Sequence, residues 1–224
     1  MAADATRFAA MIAREVALRQ EGYRIISGVD EAGRGPLAGP VVAAAALLLC
    51  PPDEAGAAHP WLCEVYDSKQ VSEEQRESLC AHILRDDSPF HVGTGLAEVE
   101  EIDRTNILRA TQAAMRRALD ALIFPPEFVL VDGNRTIPAL ATPQECVVKG
   151  DARCLSIAAA SIVAKVTRDG LMRRYAHTYP HYGFEQHKGY GTAQHVRALR
   201  DHGTCPLHRR VFAASALAHE RDDD

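Results

Sequence analysis

The sequence predicts an α/β fold: a mixed sheet with flanking helices, followed by a helical C-terminal part. Three observations carry this. Short apolar runs of strand length recur at residues 23–29, 41–49, 90–96, 128–131 and 146–148. Segments with apolar residues at a 3.6-residue period alternate with them. From residue 155 onward the pattern is helical, with no further strand run.

Taken in order, Phe8, Ile12, Val16 and Arg19 share helical spacing, so residues 4–20 predict an amphipathic first helix. Residues 23–29 predict a strand that ends at Asp30-Glu31. Residues 32–40 hold three glycines and two prolines and must turn. The continuous apolar run 41–49 fits a buried strand. Residues 51–61, rich in Pro, Ala and Gly, predict a loop. Ser72-Glu73-Glu74-Gln75 is a capping-box pattern, with Leu79, Ile83 and Leu84 following at helical spacing. A strand is expected at 90–96. Residues 106–122 place Ile107, Ala110, Ala114, Met115 and Leu119 on one helical face, stopped by Pro125-Pro126. The strand 128–131 runs into Asp132-Gly133-Asn134, and 146–148 is a further short strand. Residues 155–175 form a long helix rich in Ala and Ser, and 193–201 the last clear one. No linker divides the chain, so one domain over 1–224 is expected. It comprises an N-terminal helix (1–20), a core (21–175) and a C-terminal helical and loop segment (176–224).

The chain has 224 residues, 47% hydrophobic and 25% charged, which excludes a disordered, collagen-like or disulfide-scaffold protein. The longest apolar run, 37–50, is broken by Gly39 and Pro40 and is too short to span a membrane. The N-terminus lacks a charged-then-apolar signal pattern. Cysteines 50, 63, 80, 146, 154 and 205 show no C-x-x-C spacing, against a zinc site or disulfide frame. A cytoplasmic protein is expected. The formal charge of -5 gives no whole-chain basic footprint. The charge is uneven, however. Residues 146–210 carry eleven Lys/Arg against four Asp/Glu, and six of the ten histidines. Solvated helix faces and a basic surface facing a polyanion both fit that count.

The informative acids stand at strand ends. If the strands before Asp30 and Asp132 are parallel neighbours, both carboxylates emerge at one sheet edge, where open α/β sheets bind ligands. Successive strand residues face opposite ways, so Glu31 joins Asp30 only if the strand has given way to the turn. Asp151 follows another short strand, just before the long helix. Carboxylate oxygens suit Mg²⁺ or Mn²⁺, and a set of them favours a two-metal phosphoryl site. Turn and helix-cap roles for the same residues stay open. Gly33-Arg34-Gly35 allows close backbone approach to a sugar or phosphate; a plain loop is the alternative. In His187-Lys188-Gly189-Tyr190-Gly191-Thr192, Tyr190 could stack on a sugar or base and Lys188 could reach a phosphate. Asp67-Ser68-Lys69 is a weaker phosphate candidate. The small residues of the long helix suit close packing on the sheet, with Lys165 and Arg168 extending toward the substrate side.

Together these strings resemble ribonuclease HII, the prokaryotic type 2 ribonuclease H family. The resemblance rests on residues 28–40, on Asp67-Ser68-Lys69, Val131-Asp132-Gly133, Val148-Lys149-Gly150-Asp151, residues 156–169 and His187-Lys188-Gly189-Tyr190, in the family's order. It implies a ribonuclease H-like mixed sheet with flanking helices and a C-terminal helical segment. It implies that Asp30, Glu31, Asp132 and Asp151 are the catalytic acids, binding Mg²⁺ or Mn²⁺ in a two-metal site. Gly33, Arg34 and Gly35 would read the ribose 2′-OH, and Tyr190 would stack on the sugar 3′ of the ribonucleotide. The reaction implied is hydrolysis of RNA in RNA–DNA hybrids and 5′ of ribonucleotides embedded in duplex DNA, leaving 3′-OH and 5′-phosphate ends. A same-fold nuclease without 2′-OH selectivity and a non-catalytic hybrid-binding module are the alternatives. In the segment His208-Arg209-Arg210-Val211-Phe212 the family usually has a small polar residue where Val211 stands. The tail, His219-Glu220-Arg221-Asp222-Asp223-Asp224, shows no sliding-clamp peptide, and a monomer is expected. About thirty residues precede the Asp-Glu pair, so the N-terminal substrate-binding domain of the sister ribonuclease HIII is not expected.

Overall fold

The computed structural model describes residues 2–66, 68 and 71–219. Asp67 and Lys69 of the Asp-Ser-Lys string, and the tail beyond His219, lie outside the described residues. In chain order the elements are α1 (Ala2–Gln20), β1 (Ile26–Ala32), β2 (Val41–Leu48), α2 (Pro52–Ala58), a 3-10 turn (Pro60–Glu64) and α3 (Glu73–Ile83). Then come β3 (Phe90–Ala97), α4 (Val99–Arg104), α5 (Ile107–Asp120), β4 (Phe128–Asp132), β5 (Gln144–Val147) and a 3-10 turn (Gly150–Ala152). The last are α6 (Leu155–Thr178), α7 (Phe184–His187), α8 (Ala193–His202) and α9 (Arg210–His219). No described helix is long and apolar enough to cross a membrane.

The strands form one mixed sheet in the order β3-β2-β1-β4-β5. β1 runs antiparallel to β2 and parallel to β4, and β4 is parallel to β5. The expected mixed sheet with flanking helices is therefore present. One face packs on α6, with Ala44 and Ala46 of β2 against Ala158, Ala159 and Ile162. The other packs on α5, with Ala43 and Ala45 against Ala110, Ala114 and Ala118. The four alanines of β2 are fully buried. Small residues on strand and helices bring the three layers close, and the closeness is enforced at Gly28. A side-chain carbon there would lie 2.2 Å from the backbone of Ser156 and Ile157, so only glycine admits α6 onto β1. A third cluster joins Leu37 and Ala38 of the glycine turn to Met172 of α6, Phe184, Leu199 and Ala213. The helical C-terminal part is thus packed against the turn.

Several boundaries differ from the sequence reading. Residues 51–61 are mostly helix: Pro52 opens α2 with a pre-set φ, and Asp53 and Glu54 suit its positive N-terminal end. β1 begins later than expected and continues through Asp30 and Glu31 to Ala32, because β2 pairs with it that far. α5 stops at Asp120, before the Pro pair. Helices α4, α7 and α9 lacked an apolar period long enough to declare them. Ser72 does cap α3, its Oγ accepting from Gln75 N at 3.2 Å. The long helix α6 has no side-chain cap of its own. Its first turn is held instead by Glu15 of α1, whose Oε1 accepts from Ser156 N and Oγ at 3.0 and 2.8 Å.

Candidate active site

The parallel pairing of β1 and β4 ends at Val29 opposite Val131. Beyond it β1 has no β4 partner, so a notch opens at the carboxyl ends of both strands. Asp30, Glu31 and Asp132 stand on its walls and line one cleft of about 370 Å³. Asp30 points to the α6 face of the sheet and Glu31 to the α5 face, as strand alternation requires. Both reach the cleft because β4 no longer flanks β1 there; the strand did not have to give way to the turn. Glu31 and Asp132 also line a smaller groove on the α5 side, with Gln112, Asn134 and Arg135.

Asp30 is buried, 5% exposed. Its carboxylate accepts from Glu31 N at 2.7 Å and from the Ser161 hydroxyl. Ser161 Oγ is in turn 2.9 Å from Ser68 Oγ. Burial, then the charge of Glu31, then that of Asp132, hold the Asp30 carboxyl well above the usual carboxylate range. Asp132 Oδ1 accepts from Gly150 N at 2.7 Å. Glu31 Oε1 pairs with Arg34 Nη1 at 3.2 Å. Asp151 follows Gly150 on the 3-10 turn; it is buried and is not among the described residues lining the cleft. It does not cap α6, whose N-cap is Cys154.

The donor set fits a hard divalent cation. The three carboxylates offer only oxygen, and their mutual repulsion in a half-dry cleft is the charge that such an ion neutralises. Among the described residues, no three or more His, Cys, Asp or Glu side chains are already gathered into a metal-holding cluster.

The opposite wall is the glycine turn. Gly33 has φ +98°, and a side-chain carbon there would lie 2.0 Å from Arg168 Nε. Gly33, Arg34 and Gly35 line the cleft, and so does Tyr190, which is 45% exposed. The turn and the Tyr190 loop are tied by Leu37 N to Gly189 O at 2.8 Å. Arg168 joins them from behind, donating to Pro40, Ala38 and Lys188 carbonyls at 3.0, 3.1 and 3.0 Å. Arg168 reaches the cleft wall as a buried brace, and Lys165 lines the cleft paired to Asp169 at 2.9 Å. Lys188 is not among the cleft-lining residues. Its Nζ donates to Glu185 O and lies 3.7 Å from Glu73 Oε1, with its backbone left-handed at φ 52°. The structure thus turns its ammonium toward α3 and gives its carbonyl to Arg168.

Histidines support the Tyr190 loop. His195 Nδ1 meets Tyr190 O at 2.9 Å, and its Nε2 meets His208 Nε2 at 3.0 Å. His208 Nδ1 accepts from Cys205 N at 2.9 Å. One tautomer set satisfies this chain: His208 Nε2–H donates to His195 Nε2, and His195 Nδ1–H donates to the Tyr190 carbonyl, both rings neutral. Burial pushes His195 down to about 4, and lowers His187 and His208.

The sequence reading missed Arg209, Ser161 as a partner of Asp30, and the histidine chain. Arg209 is fully buried and binds the turn's carbonyls. The basic stretch is also less of a surface than its count suggests. Arg168 and Arg209 are interior, Arg173 pairs with Glu73 and Glu77, and Arg210 pairs with Asp103.

A mixed sheet carrying carboxylates at the ends of its central strands, walled by helices on both faces, fits the ribonuclease H fold class. Residues 27–215 match the family model described as Ribonuclease HII, and the chain belongs to that family. A ribonuclease HII of Bacillus licheniformis is 47% identical over 94% of this chain and 78% of its own length. One of Geotalea daltonii is 50% identical over 88% of this chain and 86% of its own. The crystal structure of ribonuclease H2 from Pyrococcus horikoshii superposes with TM-score 0.69 at 26% identity, covering 88% of this chain and 99% of that one.

Proposed function

We propose that this ribonuclease hydrolyses the RNA strand of RNA–DNA hybrids and cuts on the 5′ side of ribonucleotides embedded in duplex DNA, leaving 3′-OH and 5′-phosphate ends. One observation carries the reading: Asp30, Glu31 and Asp132 share a cleft with the Gly33-Arg34-Gly35 turn and Tyr190. Acids for phosphoryl chemistry thus lie beside backbone able to approach a ribose closely. Asp30 and Asp132 would hold Mg²⁺ or Mn²⁺ ions, with Glu31 and Asp151 completing the set; Gly150, next to Asp151, is already tied to Asp132. Ions bound there supply an activated water and stabilise the leaving oxygen.

The chain's own groups do the rest. The turn at Gly33, Arg34 and Gly35 meets the sugar edge, where the 2′-OH distinguishes RNA from DNA. The exposed Tyr190 ring offers a stacking face for the next sugar. Arg34, still exposed while paired to Glu31, and Lys165 supply positive charge to the phosphates. Lys188 would join them only by leaving Glu185. We place the reaction in the cytoplasm, because the cysteines are free thiols, as a reducing compartment keeps them.

The deciding experiment incubates the protein with a duplex bearing one ribonucleotide, with Mg²⁺ or Mn²⁺, beside an all-DNA duplex. Incision 5′ of the ribonucleotide alone is expected. Folded protein that leaves the duplex intact would end this reading. Cleavage of both duplexes would mark a nuclease blind to the 2′-OH.

A further inference from the structure

Arg209 is a buried guanidinium whose hydrogen bonds run to backbone carbonyls rather than to a carboxylate. Its Nη2 donates to Gly33 O at 2.6 Å and Gly39 O at 2.7 Å. Its Nη1 donates to Arg34 O and Pro36 O at 2.9 Å each, and its Nε to Gly39 O at 3.0 Å. One side chain from the C-terminal segment therefore gathers four carbonyls of the turn, some 170 residues away in sequence. Its own backbone N–H is tied to Leu37 O at 2.9 Å, and Phe212 covers its plane at 5.4 Å.

Peptide geometry gives this a consequence. In a trans peptide the C=O and the following N–H point in opposite directions. Holding the Gly33 and Arg34 carbonyls on the guanidinium aims the N–H groups of Arg34 and Gly35 away from it, and all three residues line the cleft. Charge-assisted bonds at the oxygens also polarise these peptides, which makes the N–H groups stronger donors. Lysine could not substitute: its ammonium is a compact charge, whereas the planar fork spans diverging carbonyls.

We propose that Arg209 is a positioning residue that sets which face of the Gly33-Arg34-Gly35 turn meets the substrate, presenting the Arg34 and Gly35 amides to a sugar or phosphate oxygen. The substrate part rests on the nuclease reading above; the orientation of the turn does not.

Amide hydrogen exchange on the wild-type protein tests the orientation directly. The Arg34 and Gly35 amides should exchange fast, while those of Leu37 and Gly39, bonded to Gly189 O and Leu207 O, are protected. A duplex with one ribonucleotide should then protect Arg34 and Gly35. Slow exchange of both in the free protein would overturn the proposal. In Arg209→Lys, exchange at the protected Leu37 and Gly39 amides should rise roughly tenfold with β2 and α5 unchanged. Single-turnover cleavage of the ribonucleotide duplex should fall about a hundredfold, as for a misplaced contact. Affinity for an all-DNA duplex, held by phosphate contacts, should stay as in wild type. Arg210→Ala, next door but outside the turn, should match wild type in exchange. Unchanged exchange at Leu37 and Gly39 in Arg209→Lys would overturn the proposal, as would a rise spread through β1, β2 and α6 that marks a mere brace. If the wild type cleaves nothing, the nuclease reading fails, and the exchange results still judge the turn.

Discussion

Gly35 and Tyr190 face each other across the mouth of the cleft: a side-chain carbon built on Gly35 would meet the Tyr190 ring at 3.8 Å and nothing nearer. Gly33, two residues earlier, is boxed in by Arg168 and Pro40 at φ +98°. The two glycines of one short motif therefore serve different ends. Gly33→Ala should cost at least about 2 kcal/mol of stability, from a forbidden backbone and an overlap with the guanidinium. Gly35→Ala should change stability by less than about 0.5 kcal/mol, as an open site allows. It should still weaken single-turnover cleavage of a ribonucleotide duplex, because the added methyl enters the gap that a sugar would use. Urea titrations beside kinetics check both; equal destabilisation by the two would contradict the assignment.

The Tyr190 ring is exposed while its backbone is fixed by His195 and His187. Tyr190→Ala should therefore leave the melting temperature nearly unchanged. Loss of a stacking face should cost about 1–3 kcal/mol of substrate affinity. Tyr190→Phe should retain most of it. A matched binding series on one duplex decides, and an Ala variant that binds as wild type would rule out stacking.

Asp30→Asn removes a buried charge that Glu31 and Asp132 repel. Without divalent ions the variant should be more stable than wild type, since the desolvated carboxylate no longer opposes folding. With Mg²⁺ or Mn²⁺ its cleavage should fall about a thousandfold, several kcal/mol of transition-state stabilisation at tenfold per 1.4 kcal/mol. Asp132→Asn should lose activity comparably. Binding of the duplex should persist in both. Wild-type turnover in either variant would refute the metal-holding roles.

These expectations draw on two kinds of information. The acids, the glycine turn and Tyr190 were legible because each is announced locally, by an apolar run that ends or by glycines in sequence. What brings Glu31 beside Asp30 was not, because it depends on where β4 stops pairing. Arg209 and Glu15 carry no local signal either, and the bracing role of Arg168 carried none. Their partners lie on distant elements, and each side chain is defined by the carbonyls or amides it meets. The 51–61 helix was hidden for the opposite reason: its Pro and Gly content outweighed the start signal of Pro52-Asp53-Glu54.

Acid should loosen the C-terminal segment through His195. This ring is fully buried, stacked on His187 at 4.5 Å, edge-on to Phe184, and joined to His208 and the Tyr190 carbonyl. A proton on His195 Nε2 would face the N–H of His208, placing two donors together. Burial accordingly lowers its value from 6.5 to about 4. The folded state therefore resists protonation that the unfolded chain accepts. Stability from the neutral ring is complete above pH 6.5 and is lost as pH falls toward 4, a total on the order of 3 kcal/mol at about 1.4 kcal/mol per unit. His187 and His208 add to the loss in the same direction. Chemical denaturation at pH 7.5, 6 and 5 should show the decline, and His195→Gln should flatten it. The comparison cancels Asp30 and Glu15, whose raised values act with the opposite sign and are common to both proteins. Parallel pH profiles for His195→Gln and wild type would show that the ring is not the acid-sensitive support of the Tyr190 loop.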